Sequence, residues 1–215
     1  MARVVVIGGH GKVALHLERI LSERGDEVTA LIRNPEHAAD VEAAGAAATV
    51  ADVENMTTEQ IADVLRGQDA VVWSAGAGGG DPARTYAVDR DAAIRSMDAA
   101  ASAGIRRYVM VSYLGARPDH GVPEDNSFFA YAEAKAAADE HLRATDLDWT
   151  VLGPGALTLD PGTGLVEVSP TPDAKSVPRE DVAAVAAAAL ADPTTVRRTI
   201  PFTSGTTPIV DALRG

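Results

Sequence analysis

An α/β fold built on a doubly wound parallel sheet is what this sequence predicts, on three observations. Strand-like and helix-like stretches alternate from Val4 to Leu152, and alternation of that kind calls for parallel pairing through right-handed crossovers. The first strand, Val4 to Ile7, is an unbroken β-branched run, the pattern of a strand covered on both faces. A glycine-rich turn follows it directly, after which Val13, Leu17, Ile20 and Leu21 recur at helical spacing until Gly25.

The turn reads Gly8-Gly9-His10-Gly11-Lys12-Val13-Ala14. Between a strand and a helix, such a turn is a phosphate cradle. Side chains at Gly8 and Gly11 would keep a pyrophosphate from the backbone N–H groups, and the helix beginning near Gly11 points its positive end at that phosphate. Ala14 stands where a third glycine often stands, and a methyl group still fits there. The expectation is a Rossmann-type, three-layer α/β/α domain that binds a dinucleotide.

The remaining elements follow in order. Glu27 to Arg33 reads as the second strand, and Asn34-Pro35 starts a helix with a cap and a first-turn proline. Ala46 to Val50 is a weak third strand. Thr57 and Gln60 form a capping box for a helix reaching Leu65. Asp69 to Trp73 is the fourth strand, Ser74 to Gly80 a glycine-rich loop, and Asp81-Pro82 the cap of a long helix ending near Ala103. Arg106 to Ser112 is the fifth strand, followed by a loop, a helix from Phe128 to Ala144, and a sixth strand from Asp148 to Leu152. Gly153-Pro154-Gly155 is expected to break that strand. Residues 154–178 then read as a lid or substrate loop, with one short strand at Leu165 to Val168. An amphipathic helix through Val182 to Leu190, a last strand at Thr199 to Thr203 and a helical turn at Pro208 to Leu213 complete a single domain spanning 1–215.

Composition narrows the function. The net charge is -12, so the chain offers no basic face for a run of nucleic-acid phosphates. It has no cysteine, which excludes disulfides, a thiol nucleophile and thiolate metal ligation. His10 and His16 do not converge on a metal, one lying on the turn and the other along the helix. No apolar stretch is long enough to cross a bilayer. A cytoplasmic monomer or homodimer is expected, with a small molecule and neither nucleic acid nor membrane as its partner.

Two places carry candidate chemistry. Arg33 closes the second strand, where such folds reach the adenosine ribose; an arginine there pairs with a 2′-phosphate. Lys12 is expected to add a second positive charge nearby, so NADP(H) is favoured and NAD(H) possible. Asp52, after the third strand, is a candidate for the adenine amino group. The second place is Tyr131-Ala132-Glu133-Ala134-Lys135, with tyrosine and lysine on one helix face. A nearby ammonium is expected to lower the phenol pKa, and such a phenol passes a proton to or from a substrate oxygen.

These stretches resemble the short-chain dehydrogenase/reductase superfamily, most closely its small atypical branch of epimerase/dehydratase-like and flavin-reductase-like NAD(P)-binding proteins. The resemblance spans nearly the whole chain. It rests on Gly8 to Ala14, Arg33, Asp52-Val53, Ser74-Ala75-Gly76, Tyr108 to Ser112, Tyr131/Lys135, Gly153 to Leu157 and Arg179 to Ala183. It implies that Tyr131 donates the proton and that Lys135 holds the nicotinamide ribose. It also implies that Pro154, Gly155, Ala156 and Leu157 lie beside the nicotinamide, and that Val53, Ser74, Ala75 and Gly76 help hold the cofactor. Family members carry a serine or threonine after the fifth strand that polarises the substrate carbonyl. This chain has Ser112-Tyr113 there, so either residue is a candidate. The leading expectation is an NADP(H)-dependent oxidoreductase for a small carbonyl or alcohol. A non-catalytic NADP(H) sensor and an NAD-dependent epimerase/dehydratase are the alternatives.

Overall fold

The computed structural model describes residues 1–78 and 80–215; Gly79, inside the predicted glycine-rich loop, lies outside the described residues. Strand β1 (Arg3–Ile7) runs through the middle of a nine-stranded sheet. It is parallel to β2 (Glu27–Ile32) on one side and β4 (Ala70–Trp73) on the other, with Val4 opposite both Val28 and Ala70. β3 (Ala47–Val50) lies outside β2, while β5 (Arg107–Val111) and β6 (Asp148–Pro154) extend the sheet beyond β4. The chain order therefore reverses between β1 and β4, and the crevice above a reversal is where open sheets bind ligands.

Alternate residues of β1 feed two separate cores, as a doubly covered strand requires. Val4 and Val6 pack with Leu17 and Leu21 of α1 (Lys12–Glu23) and Val182 and Val185 of α7 (Arg179–Ala191). Val5 and Ile7 pack with Ile61 and Leu65 of α3 (Thr58–Leu65), Met97 of α5 (Ala93–Ser102) and Leu142 of α6 (Phe129–Ala144). Each such side chain, taken fully out of water, contributes about 1.5–3 kcal/mol. α2 (Ala38–Ala43) joins the α1 side, and the capping box at Thr57 and Gln60 forms as the sequence predicts.

Four local expectations change. β6 runs through Gly153 to Pro154, because Pro201 and Phe202 of β10 (Arg198–Ser204) pair with those two residues. The proline lacks a donor, yet its carbonyl accepts from Leu114 N at 2.8 Å. Residues 154–178 are more than a loop. β7 (Ala156–Thr158) and β9 (Ser176–Pro178) form a two-stranded parallel ribbon. β8 (Leu165–Val168) joins the main sheet antiparallel to β10, with β11 (Thr207–Pro208) beyond it. α7 is buried on most sides instead of amphipathic, because it packs against α1 as well as against the sheet and α8. The long helix after Asp81 begins as α4 (Pro82–Thr85) and reaches α5 through a π-helical segment, Tyr86–Ala92. A last helix, α8 (Ile209–Leu213), packs against α7 and β8.

Candidate functional site

The glycine turn is shaped by its neighbours. Gly8 has φ +88°, and a Cβ there would come within 2.6 Å of the Ala75 backbone in the loop after β4. A Cβ on Gly9 would meet Ala30 at 2.5 Å. Both residues therefore let the turn settle between β2 and β4. Gly11 differs: its φ is -65°, and a Cβ would meet only Gly8 O at 3.1 Å before ordinary contact distances. It caps α1 without a side-chain acceptor, so the N–H groups of Lys12, Val13 and Ala14 are left for a ligand anion. The cradle thus fits a pyrophosphate.

A cleft of about 250 Å³ opens from this turn. It is lined by Gly8, His10, Gly11, Arg33, Asp52, Val53, Ser74, Ala75 and Gly76 among the predicted residues. His10 is held in place by Asp40 at 2.8 Å and by stacking on His37. Asp52 accepts from Asn55 at 2.7 Å. Arg33 lies at the far end, and its partner in charge is not Lys12. The Lys12 side chain lines a different groove with His16, Arg19 and Leu159, because the first residue of α1 points away from β2. The second cation of the cleft is Arg84, from α4. Both arginines converge on one carboxylate oxygen of Glu54, Arg33 at 3.3 Å and Arg84 at 3.2 Å.

Tyr131, Lys135, Ser112 and Tyr113 gather beside this cleft, not in its lining. The ring of Tyr113 packs on Phe128 at 5.2 Å and on Tyr131 at 5.5 Å, and Phe128 lies 5.2 Å from Tyr131. Tyr131 and Lys135 share a face of α6, as their spacing predicts. Lys135 is only 1% exposed, and its Nζ donates to Val111 O at 2.9 Å. Buried with it are Asp89, from the π segment, and Asp139, one further turn along α6. Burial lowers the Lys135 pKa, and the two acids oppose that shift.

The expectation for Tyr131 is corrected. Its pKa is raised, first by burial and then by Asp89, Asp139 and Tyr113. At neutral pH the phenol therefore keeps its proton, and its hydroxyl makes no hydrogen bond to any described residue. The Ser112 hydroxyl donates to Asp139 at 2.7 Å, and the residue is 5% exposed. The Tyr113 hydroxyl has no partner among the described residues, and burial raises its pKa too.

Pro154 is tied to this cluster through Leu114. Gly155 lets Lys175 O pass where a Cβ would approach within 2.7 Å. Ala156 and Leu157 are exposed in β7, where Arg179 donates to Leu157 O at 3.1 Å. The link between cleft and cluster is Asp89. It accepts from Ala77 N at 3.0 Å, next to Gly76, and acts electrostatically on both Tyr131 and Lys135.

The chain matches the NAD(P)H-binding family over residues 8–193. It belongs to that family. It is 36% identical over 214 residues to the uncharacterized sugar epimerase YhfK of Bacillus subtilis, covering 99% of both chains. A solved structure from Bacillus halodurans, named for an NAD-dependent epimerase/dehydratase, superposes with a TM-score of 0.91 at 33% identity, covering 100% of this chain and 99% of that one. The oxidoreductase ylbE of Lactococcus lactis gives 0.86 at 28% identity, over 99% and 95%. The atypical short-chain dehydrogenase/reductase-like branch fits these likenesses, and the Rossmann-type fold agrees with them.

Sequence reasoning missed Glu54, Arg84, Arg95, Asp89, Asp139 and Phe128. Arg84, Asp89 and Arg95 come from the segment after β4, with no spacing rule tying them to the site, whereas Phe128 and Asp139 lie three residues before Tyr131 and four after Lys135, a helical spacing that could have found them. The π segment was equally hidden, because one widened turn leaves the helical period almost unchanged.

Proposed function

We propose that the protein is an NADP(H)-dependent oxidoreductase for a small carbonyl or alcohol, with Tyr131 as the proton donor. The observation that carries this reading is a protonated, hydrogen-bond-free phenol beside a nucleotide cleft, seated between two aromatic rings. Backbone N–H groups at Lys12 to Ala14 would hold the pyrophosphate, Asp52 and Val53 the adenine, and Arg33 with Arg84 a 2′-phosphate. Lys135 Nζ donates to Val111 O and to Met110 Sδ, which leaves one N–H for a ribose hydroxyl. When bound, the nicotinamide supplies or accepts the hydride. Tyr131 gives its proton to the substrate oxygen as charge develops there, and the unpartnered Tyr113 hydroxyl would donate a second hydrogen bond. Phe128 and Tyr113 pack against the ring of Tyr131.

The reading favours reduction over oxidation, since the resting tyrosine is an acid and not a phenolate. A panel of small aldehydes, ketones and quinones with NADPH tests it by following cofactor absorbance; turnover that survives Tyr131→Phe unchanged would remove Tyr131 from the mechanism.

A second reading, epimerase or dehydratase, is supported by the names of the Bacillus relatives. There the hydride returns to the same molecule, so a substrate would be converted with no net change in cofactor absorbance. Conversion of a nucleotide sugar under those conditions would decide for it.

A further inference from the structure

The charge arrangement at the far end of the cleft is not an ordinary surface ion pair. Exposed pairs contribute little to stability. Here one carboxylate oxygen, Glu54 Oε2, is shared by two guanidiniums, and all three groups line the cleft. Arg84 is also committed to Ala77 O, which keeps its guanidinium turned inward. The backbone carrying Glu54 is fixed from behind: Arg95 donates to Glu54 O at 2.9 Å, Val53 O at 3.2 Å and Met56 O at 3.0 Å. The backbone from which the Glu54 side chain reaches the two arginines is therefore anchored.

We propose that Glu54 sets how strongly the cleft distinguishes nicotinamide cofactors with a 2′-phosphate from those with a 2′-hydroxyl, and that Arg84 is the second cation of that choice. The inference rests on the adenosine end of the cofactor occupying this cleft. An ionised carboxylate only accepts hydrogen bonds, so it suits a 2′-hydroxyl and repels a 2′-phosphate. The two guanidiniums have the opposite preference, since charge-assisted contacts to phosphate are the strong ones. With Glu54 between them, their charge is partly neutralised before any ligand arrives. Glu54 thus moderates the preference of the two arginines for the phosphate, and removing the carboxylate charge strengthens that preference.

Calorimetric titration of the wild type, Glu54→Gln and Arg84→Met with NADPH and NADH tests this. Glu54→Gln should tighten NADPH by about tenfold and weaken NADH by a few-fold, the scale of one charge-assisted contact. Arg84→Met should weaken NADPH by about tenfold with little effect on NADH. A Glu54→Gln protein whose NADH-to-NADPH ratio of dissociation constants stays within twofold of wild type overturns the inference. So does an equal loss for both cofactors, which would make Glu54 a support for its loop alone. A wild type that binds both cofactors equally refutes the NADP(H) preference, yet a ratio that still moves in Glu54→Gln upholds the role of Glu54. A wild type that binds neither cofactor overturns both.

Discussion

Replacing Tyr131 by phenylalanine keeps the ring that packs on Tyr113 and Phe128 and removes only the hydroxyl. A positioned general acid contributes about 10²- to 10⁴-fold, so kcat should fall on that scale while NADPH affinity stays within a few-fold. Steady-state kinetics beside a binding titration will show the split. Lys135→Met should lower both turnover and affinity, since the ammonium interacts with Asp89 and Asp139 and, in the proposed function, would also hold the ribose. A different residue governs how stability depends on pH. Glu18, on α1, is fully buried and both carboxylate oxygens lack partners among the described residues. Burial pushes its pKa up to about 8. The folded chain then holds a proton that the unfolded chain has already released above about pH 4.5. Stability should consequently decline as pH rises from about 4.5 toward 8, then level off, by on the order of a few kcal/mol. Glu18→Gln should flatten that decline, and melting temperatures of both proteins from pH 5 to 9 will reveal it.

At the level of elements, the glycine turn separates binding from folding. Gly11→Val adds a side chain at an ordinary φ beside the first-turn N–H groups, so it should abolish NADPH binding while the melting temperature stays near wild type. Gly8→Val puts a side chain at φ +88° against the Ala75 backbone and should lower the melting temperature markedly. Thermal melts and cofactor titration of the two variants will distinguish these outcomes. Much at this scale was legible in the sequence. The β-branched run of β1, the period of α1 and the Thr57/Gln60 box are local patterns, and local patterns leave local traces. The extension of β6 through Gly153 and Pro154 left none, because it depends on pairing with β10, whose strand lies far along the chain. The burial of α7 was invisible for a similar reason: an alanine-rich helix gives no strong face, and only α1 packed against it shows which sides are covered.

For the whole molecule, ligand binding should appear as stability. NADPH present at 100 times its dissociation constant should stabilise the fold by about 2.7 kcal/mol. The rise in melting temperature at equal concentration should be larger for NADPH than for NADH, and Arg33→Ala should bring the two together. Differential scanning fluorimetry with both cofactors will read the effect. The site was only half legible at this scale. Arg33 could be found because it closes a strand beside a recognisable glycine turn. Its counterparts Glu54 and Arg84 come from the loop after β3 and from α4, and only the closed sheet brings them together. Ser112 illustrates the converse, a residue in the expected place whose hydroxyl is spent on Asp139.

Every residue lining the cleft falls between Gly8 and Val88, whereas the tyrosine cluster is drawn from Tyr113, Phe128, Tyr131 and Lys135. In the proposed function, the adenosine end of the cofactor would thus be held by the first stretch of chain and the substrate by the second, with Asp89 and Lys135 joining the two. Recombination or drift in the second stretch can replace what is acted on while the first continues to hold the same nucleotide. A scaffold divided in this way can diversify its reactions without having to reinvent its cofactor.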